Sequence, residues 1–231
     1  MDCILDFPTS THVDRLVPKT AFYKHLEINA KLKSRFVEDI DRIQWLAKLA
    51  PSTLNVEDGK TVHEISVFMV SLKTENVPDD VFLAIDKQMP RHMLFILKYD
   101  VRYSLLLNYK EWADPAKGTF SIIQSFRTGW IDEESVRLTL DGSTMDRVYE
   151  SFAGQISGFG THSADDTKRI IELQESLKQK QRTIEALQKK VRVEKQFNRQ
   201  MQLNAEARTL KEEVAYLQEK INKFKIDNYD I

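Results

Sequence analysis

The sequence predicts an α/β or α+β head, a mixed five-stranded sheet with flanking helices, followed by a long C-terminal coiled-coil helix. Three observations carry that expectation. Two strand-length stretches, 62–73 and 93–97, are apolar on both faces, as a covered central strand must be, and a helix of about ten residues fits between them. Gly154, Gly158 and Gly160 then form a joint. Beyond the joint, residues 163–225 contain neither Gly nor Pro and carry apolar side chains at heptad spacing. The expected domains are a head over 1–157 and a tail over 158–231.

Taken in order, Ile4 to Phe7 reads as a short strand closed by Pro8, and Thr9, Ser10 and Thr11 offer helix-capping hydroxyls. Pro18 interrupts before a helix begins near Thr20. Apolar residues at Phe22, Leu26, Leu32, Phe36, Ile40, Ile43, Leu46 and Leu49 predict a helical stripe that stops before Pro51. Glu57-Asp58-Gly59-Lys60 is a tight turn into the first doubly apolar strand. Pro78-Asp79-Asp80 starts a short helix with acidic residues in its first turn, which its dipole favours. That helix ends at Pro90, completing a strand–helix–strand unit. Further strands are expected over 103–109, 120–126 and 136–140, the last cleanly alternating. Ser143 or Thr144 caps a helix holding Met145, Val148, Tyr149 and Phe152.

In the tail, Ser163 with Asp166 three residues on marks a capped start. Ile170, Leu173, Leu177, Ile184, Leu187 and Val191 form one apolar seam, interrupted by Lys180. Leu203, Ala207, Leu210, Val214, Leu217, Ile221 and Phe224 form a second, displaced by two positions from the first. The pattern favours a single long helix; a bend or hairpin within 194–204 is the other solution. Either way the seams need a covering surface, since a bare apolar stripe aggregates. A homo-oligomer, most simply a dimer, or a partner protein's helix would supply it; packing back on the chain's own head is the plain alternative for part of it.

Composition narrows the function classes. The 231 residues are 42% hydrophobic and 30% charged, ordinary for a globular chain with one highly charged helix. Cys3 is the single cysteine, so no intrachain disulfide forms and a reducing compartment fits. The start has no basic segment followed by an apolar one, and no apolar run approaches the ~20 residues of a membrane span. The expectation is therefore cytoplasmic, with no membrane partner. Net charge is −1, but residues 178–211 carry ten basic and three acidic side chains. Within them, Lys189, Lys190, Arg192, Lys195 and Arg199 are the candidates for contact with nucleic-acid phosphates; a solvated helix flank is the plain alternative.

Catalytic signals are weak. Glu64, Asp86, Lys87 and Lys110 sit at predicted element ends, where a metal-dependent nuclease would hold Mg²⁺ with carboxylates and steer water or phosphate with a lysine. The usual acidic-x-Lys pair on one strand is missing, and pairing of Glu64 with Lys110 across neighbouring strands, or a place for each at the sheet's wet rim, would explain both without chemistry. The histidines His12, His25, His63, His92 and His162 have no metal-ligand spacing. No Gly-rich phosphate loop or nucleophile elbow is present, so no cofactor or metal is expected. Trp130 could stack on a base or close a core edge.

The head's residues resemble the prokaryotic family called domain of unknown function 4391. The resemblance rests on Phe7-Pro8-x-Ser10-Thr11, Pro18-Lys19-x-x-Phe22-Tyr23, Ile40-Asp41-x-Ile43-x-Trp45-x-x-Lys48-Leu49 and Pro51-x-Thr53-Leu54-Asn55. Glu64-Ile65-x-Val67-Phe68, Ile85-Asp86-Lys87-x-x-Pro90, Leu94-Phe95, Tyr109-Lys110 and Thr128-x-Trp130 complete it, over about 1–157. It implies no particular activity. Members are often encoded beside helicases and DNA-modification methyltransferases, which implies a role in restriction or phage-defence machinery by association alone. The expected function is a non-enzymatic adaptor or assembly subunit docking through its tail. The alternative is a nuclease-like or nucleic-acid-binding protein.

Overall fold

The computed structural model describes residues 4–21, 29–158 and 164–226, with side chains described for 168–223 of the last stretch. The chain divides into two units, Met1–Ala164 and Asp165–Ile231. The first unit is a mixed sheet with flanking helices. Its strands β1 (His12–Leu16), β2 (Ile40–Leu49), β3 (Ile65–Leu72), β4 (His92–Tyr99), β5 (Arg102–Asp114) and β6 (Thr119–Arg127) lie side by side in that order, and β7 (Ile131–Asp132) pairs with β5. β3 and β4 are parallel, and the remaining pairings are antiparallel. The sheet thus has seven strands where five are expected.

Helix α1 (Ala30–Asp39) starts at Asn29, whose side chain accepts from the Leu32 N–H at 2.8 Å. Its Phe36 enters an apolar layer with Phe68, Val70, Phe95 and Leu97 of the central strands and Val81, Phe82 and Ile85 of α3 (Asp80–Gln88). A one-turn helix, α2 (Pro51–Leu54), follows β2. The helix α4 (Met145–Ser157), capped by Thr144, packs Tyr149 on Tyr109 and His92, and Phe152 on Phe7. Its first-turn Asp146 accepts from the N–H groups of Lys60, Thr61 and Val62 at 2.6–3.0 Å, fixing the turn before β3. Gly59 is required there, because a Cβ would lie 2.4 Å from the Val62 carbonyl oxygen.

Several sequence expectations need correction. The stripe at 22–49 is not one helix: residues 22–28 lie outside the described ones, α1 ends at Asp39, and Ile40–Leu49 is strand β2. Its pairing with β3 shifts register between Ile40 and Arg42 and again between Trp45 and Ala47. Those bulges turn a two-residue period into burial of Ile40, Ile43, Leu46 and Leu49, three apart like a helix face. Ile4 to Phe7 is not a strand; Leu5 and Phe7 are buried, but the Phe7 N–H bonds to the Leu5 carbonyl. The first strand is instead His12–Leu16, where only capping hydroxyls and Pro18 mark the sequence. Residues 136–140 are also not a strand. Val136 and Leu138 do point inward, yet the Thr139 backbone is paired at both ends by the Gln155 side-chain amide and not by a neighbouring chain.

The second unit holds two helices where one long helix is favoured by the sequence. α5 (Ala164–Val193) and α6 (Phe197–Ile226) each have 30 residues, about 45 Å of helix. Lys180 Nζ lies 2.5 Å from Glu213 Oε2. In one continuous helix those residues would be about 50 Å apart, so the chain reverses at 194–196. Glu194 Oε1 accepts from the N–H groups of Lys195 and Gln196, and the Gln200 amide caps the Val191 carbonyl, so the turn satisfies backbone groups that both helix ends expose. The expected cap Ser163 and the joint's Gly160 lie outside the described residues.

Candidate functional site

Of the four weak catalytic candidates, the fold joins two. Asp86 stands in the last turn of α3 and Lys110 on β5, and the Lys110 ammonium lies 2.6 Å from Asp86 Oδ1 with both side chains fully buried. The ammonium also donates to the carbonyls of Asp86 at 3.0 Å, Met89 at 3.2 Å and Arg91 at 2.5 Å. These are the carbonyls that a helix C-terminus leaves open, and a cation there also suits the dipole. Lys110 therefore ties down the passage from α3 into β4.

The second oxygen of Asp86 accepts from the Asn108 amide at 2.9 Å, and Asn108 accepts from Ser125 at 2.7 Å. Tyr149 donates to the Asn108 carbonyl at 2.6 Å, and burial keeps its hydroxyl well above the usual phenol range. Burial pushes the Asp86 carboxyl up, with Lys110 pulling the other way. His92, against Phe120 and Tyr149, is held neutral: burial first, then the Lys110 charge, lowers it to about 3. Among the described residues its Nε2 has no hydrogen-bond partner. Asp86, His92, Asn108, Lys110 and Tyr149 are all buried, and Ser125 at the end of the network is half-buried.

Glu64 is elsewhere in purpose. Only 14% exposed, it accepts from Lys48 at 2.9 Å, Arg91 at 3.0 Å and Ser66 at 3.2 Å, so three donors hold it at the sheet rim and Lys110 is not its partner. Lys87 faces solvent, pointing away from its buried neighbour Asp86. Among the described residues no group of three His, Cys, Asp or Glu could hold a metal. His12 bonds to the Phe7 carbonyl and His63 to Asp58, while Cys3, His25 and His162 lie outside the described residues. Trp130 is half-buried against the core, flanked by Tyr99, Arg102 and Arg127.

In the second unit, Ile170, Ile184, Leu187, Ala207, Leu217 and Ile221 are buried, and Leu173, Leu177, Val191, Leu203, Leu210 and Val214 are half-buried. The Phe224 side chain lies outside the described ones. The large apolar side chains left exposed in this unit are Val193 at 77%, Phe197 at 71% and Met201 at 58% about the reversal, and Tyr216 at 56% further along α6. Around the reversal Lys189, Lys190, Arg192, Lys195 and Arg199 are exposed. Glu194, the acidic residue among them, faces the turn's own N–H groups and lies 3.6 Å from Arg199. Among the described residues, Lys189, Lys190, Arg192 and Lys195 make no ion pair. Lys190, Val193, Glu194, Lys195, Arg199 and Leu203 line a concavity there.

Sequence reasoning missed Asn108, Tyr149 and Ser125, because each is an ordinary residue of its own element and only the fold joins them. It also missed Phe197, Val193 and Met201. Their signal was available, as apolar residues that fit neither seam. No described helix is long and apolar enough to cross a membrane. No curated protein and no solved structure matches the chain. A family match, by contrast, runs over residues 5–214, past the head to which the sequence resemblance was confined and through most of the second unit. The chain belongs to the family described as domain of unknown function (DUF4391).

Proposed function

We propose that this chain is a non-enzymatic adaptor or assembly subunit that docks through the turn of its C-terminal helical hairpin. The observation that carries this reading is the contrast in exposure. In the head the buried Asp86 and Lys110 are partnered to each other, whereas Val193, Phe197 and Met201 are exposed beside Lys189, Lys190, Arg192 and Lys195, which make no ion pair among the described residues. Three large apolar side chains grouped at a turn cost solvation unless something covers them. Along the two helices six seam residues are buried and six half-buried, so most of the exposed apolar surface of large side chains is at the turn. A place in DNA-directed restriction or phage-defence machinery is part of the same proposal and rests on the family association.

Light scattering on the intact chain, alone and after recovery from its own cells, tests this. The expected result is a complex heavier than the monomer in the chain recovered from its cells, which the double substitution F197S/M201S lowers without changing the melting temperature. A monomer that retains no partner, in parent and variant alike, contradicts it.

A further inference from the structure

We infer that the hairpin turn binds nucleic acid with unpaired bases, its cations on the phosphates and Phe197 on a base face. This inference rests on the docking reading and names the partner. Electrostatics give the first reason. Lys189, Lys190, Arg192, Lys195 and Arg199 lie within eleven residues and gather about one reversal, while the local carboxylate, Glu194, is turned onto backbone N–H groups and Arg199. A polyanion recovers the repulsion among those cations and gains entropy from released counterions.

The aromatic supplies the second reason. Phe197 opens α6 between Lys195 and Arg199 in sequence and is 71% exposed. An exposed ring among phosphate-binding side chains is the arrangement with which proteins stack single-stranded bases, worth about 1–3 kcal/mol per base. Capping by Glu194 and Gln200 fixes the turn beforehand, so little ordering is left for binding to bear. An acidic protein or an anionic lipid surface also meets the charge, and the lipid takes exposed apolar side chains as well, so vesicle capture is the outcome set against stacking.

Fluorescence anisotropy with labelled single-stranded and duplex 20-mers, using the full chain between 50 and 200 mM salt, decides the matter. Single strands should bind more tightly, with affinity falling as salt rises. The triple variant K189Q/K190Q/K195Q, all solvated positions, should lose three phosphate contacts and flatten the log–log salt slope by about 2. Phe197→Ala should weaken single-strand binding about 5- to 100-fold and leave duplex binding unchanged. The inference is overturned by no binding, by binding indifferent to both variants, by equal affinity for duplex, or by preferential capture on phosphatidylserine vesicles. If oligonucleotides fail while F197S/M201S still breaks a larger complex, the docking reading stands and this inference alone falls.

Discussion

Lysine behaves in opposite ways in the two units. In the head, Lys110 is enclosed and meets one carboxylate oxygen and three carbonyls. At the hairpin turn, Lys189, Lys190 and Lys195 meet water. Taking an ammonium out of water costs several kcal/mol, so the buried lysine must be fully partnered to exist at all, and a fully partnered group has no capacity for a substrate. The exposed lysines keep theirs. Perturbed carboxylates are often read as functional sites. Here Asp86 is perturbed because it is buried in the packing of the head, with Lys110 as its partner.

The largest effect that would sharpen the contrast lies in the head. Asp86→Ala strands the Lys110 charge, and Lys110→Met strands Asp86, so either should cost about 3–5 kcal/mol in urea unfolding. The double variant should cost less than the sum by about 2 kcal/mol, because no lone charge remains. Strictly additive losses would mean that the two groups do not depend on each other.

The pH dependence comes next. His92 is neutral in the fold with its pKa near 3, against about 6.5 unfolded. Below pH 6.5 the unfolded chain takes up a proton that the fold refuses, so this contribution is whole above 6.5 and drains away as pH falls towards 3. His92→Phe, keeping a ring between Phe120 and Tyr149, should flatten the stability curve across that window. An unchanged acid limb in the variant would show that His92 carries none of it. The smallest effect belongs to the hairpin. Its Lys180–Glu213 pair is part-exposed, and Lys180→Ala should cost under about 1 kcal/mol, vanishing in high salt. A loss as large as that of Asp86→Ala would erase the distinction between the units.

How much of this was legible in the residues follows from locality. The β3–α3–β4 unit was readable because each piece announces itself: two doubly apolar strands, an acidic helix start and a proline stop. β2 was not, because its bulges are imposed by pairing with β3 and make a strand imitate a helix. Residues 136–140 showed the right faces and the wrong partner, since alternation tells which side is buried but not that Gln155 replaces a neighbouring strand. In the tail both seams and the site of the discontinuity were legible; the choice of hairpin over continuous helix hung on the caps at Glu194 and Gln200, which sequence periodicity does not weigh. Of the candidate groups, the Asp86–Lys110 contact joins residues 24 apart and needed the fold.

The reversal at 194–196 decides where the free surface is, so it is the point to measure. With Cys3 changed to serine, spin labels at Q179C and E212C sit on exposed faces of α5 and α6. Packed helices lie 8–10 Å apart between axes, and with the labels' own reach a distance below about 25 Å is predicted. A distribution centred near 50 Å, the length of 33 residues of continuous helix, would contradict the hairpin and the docking surface with it.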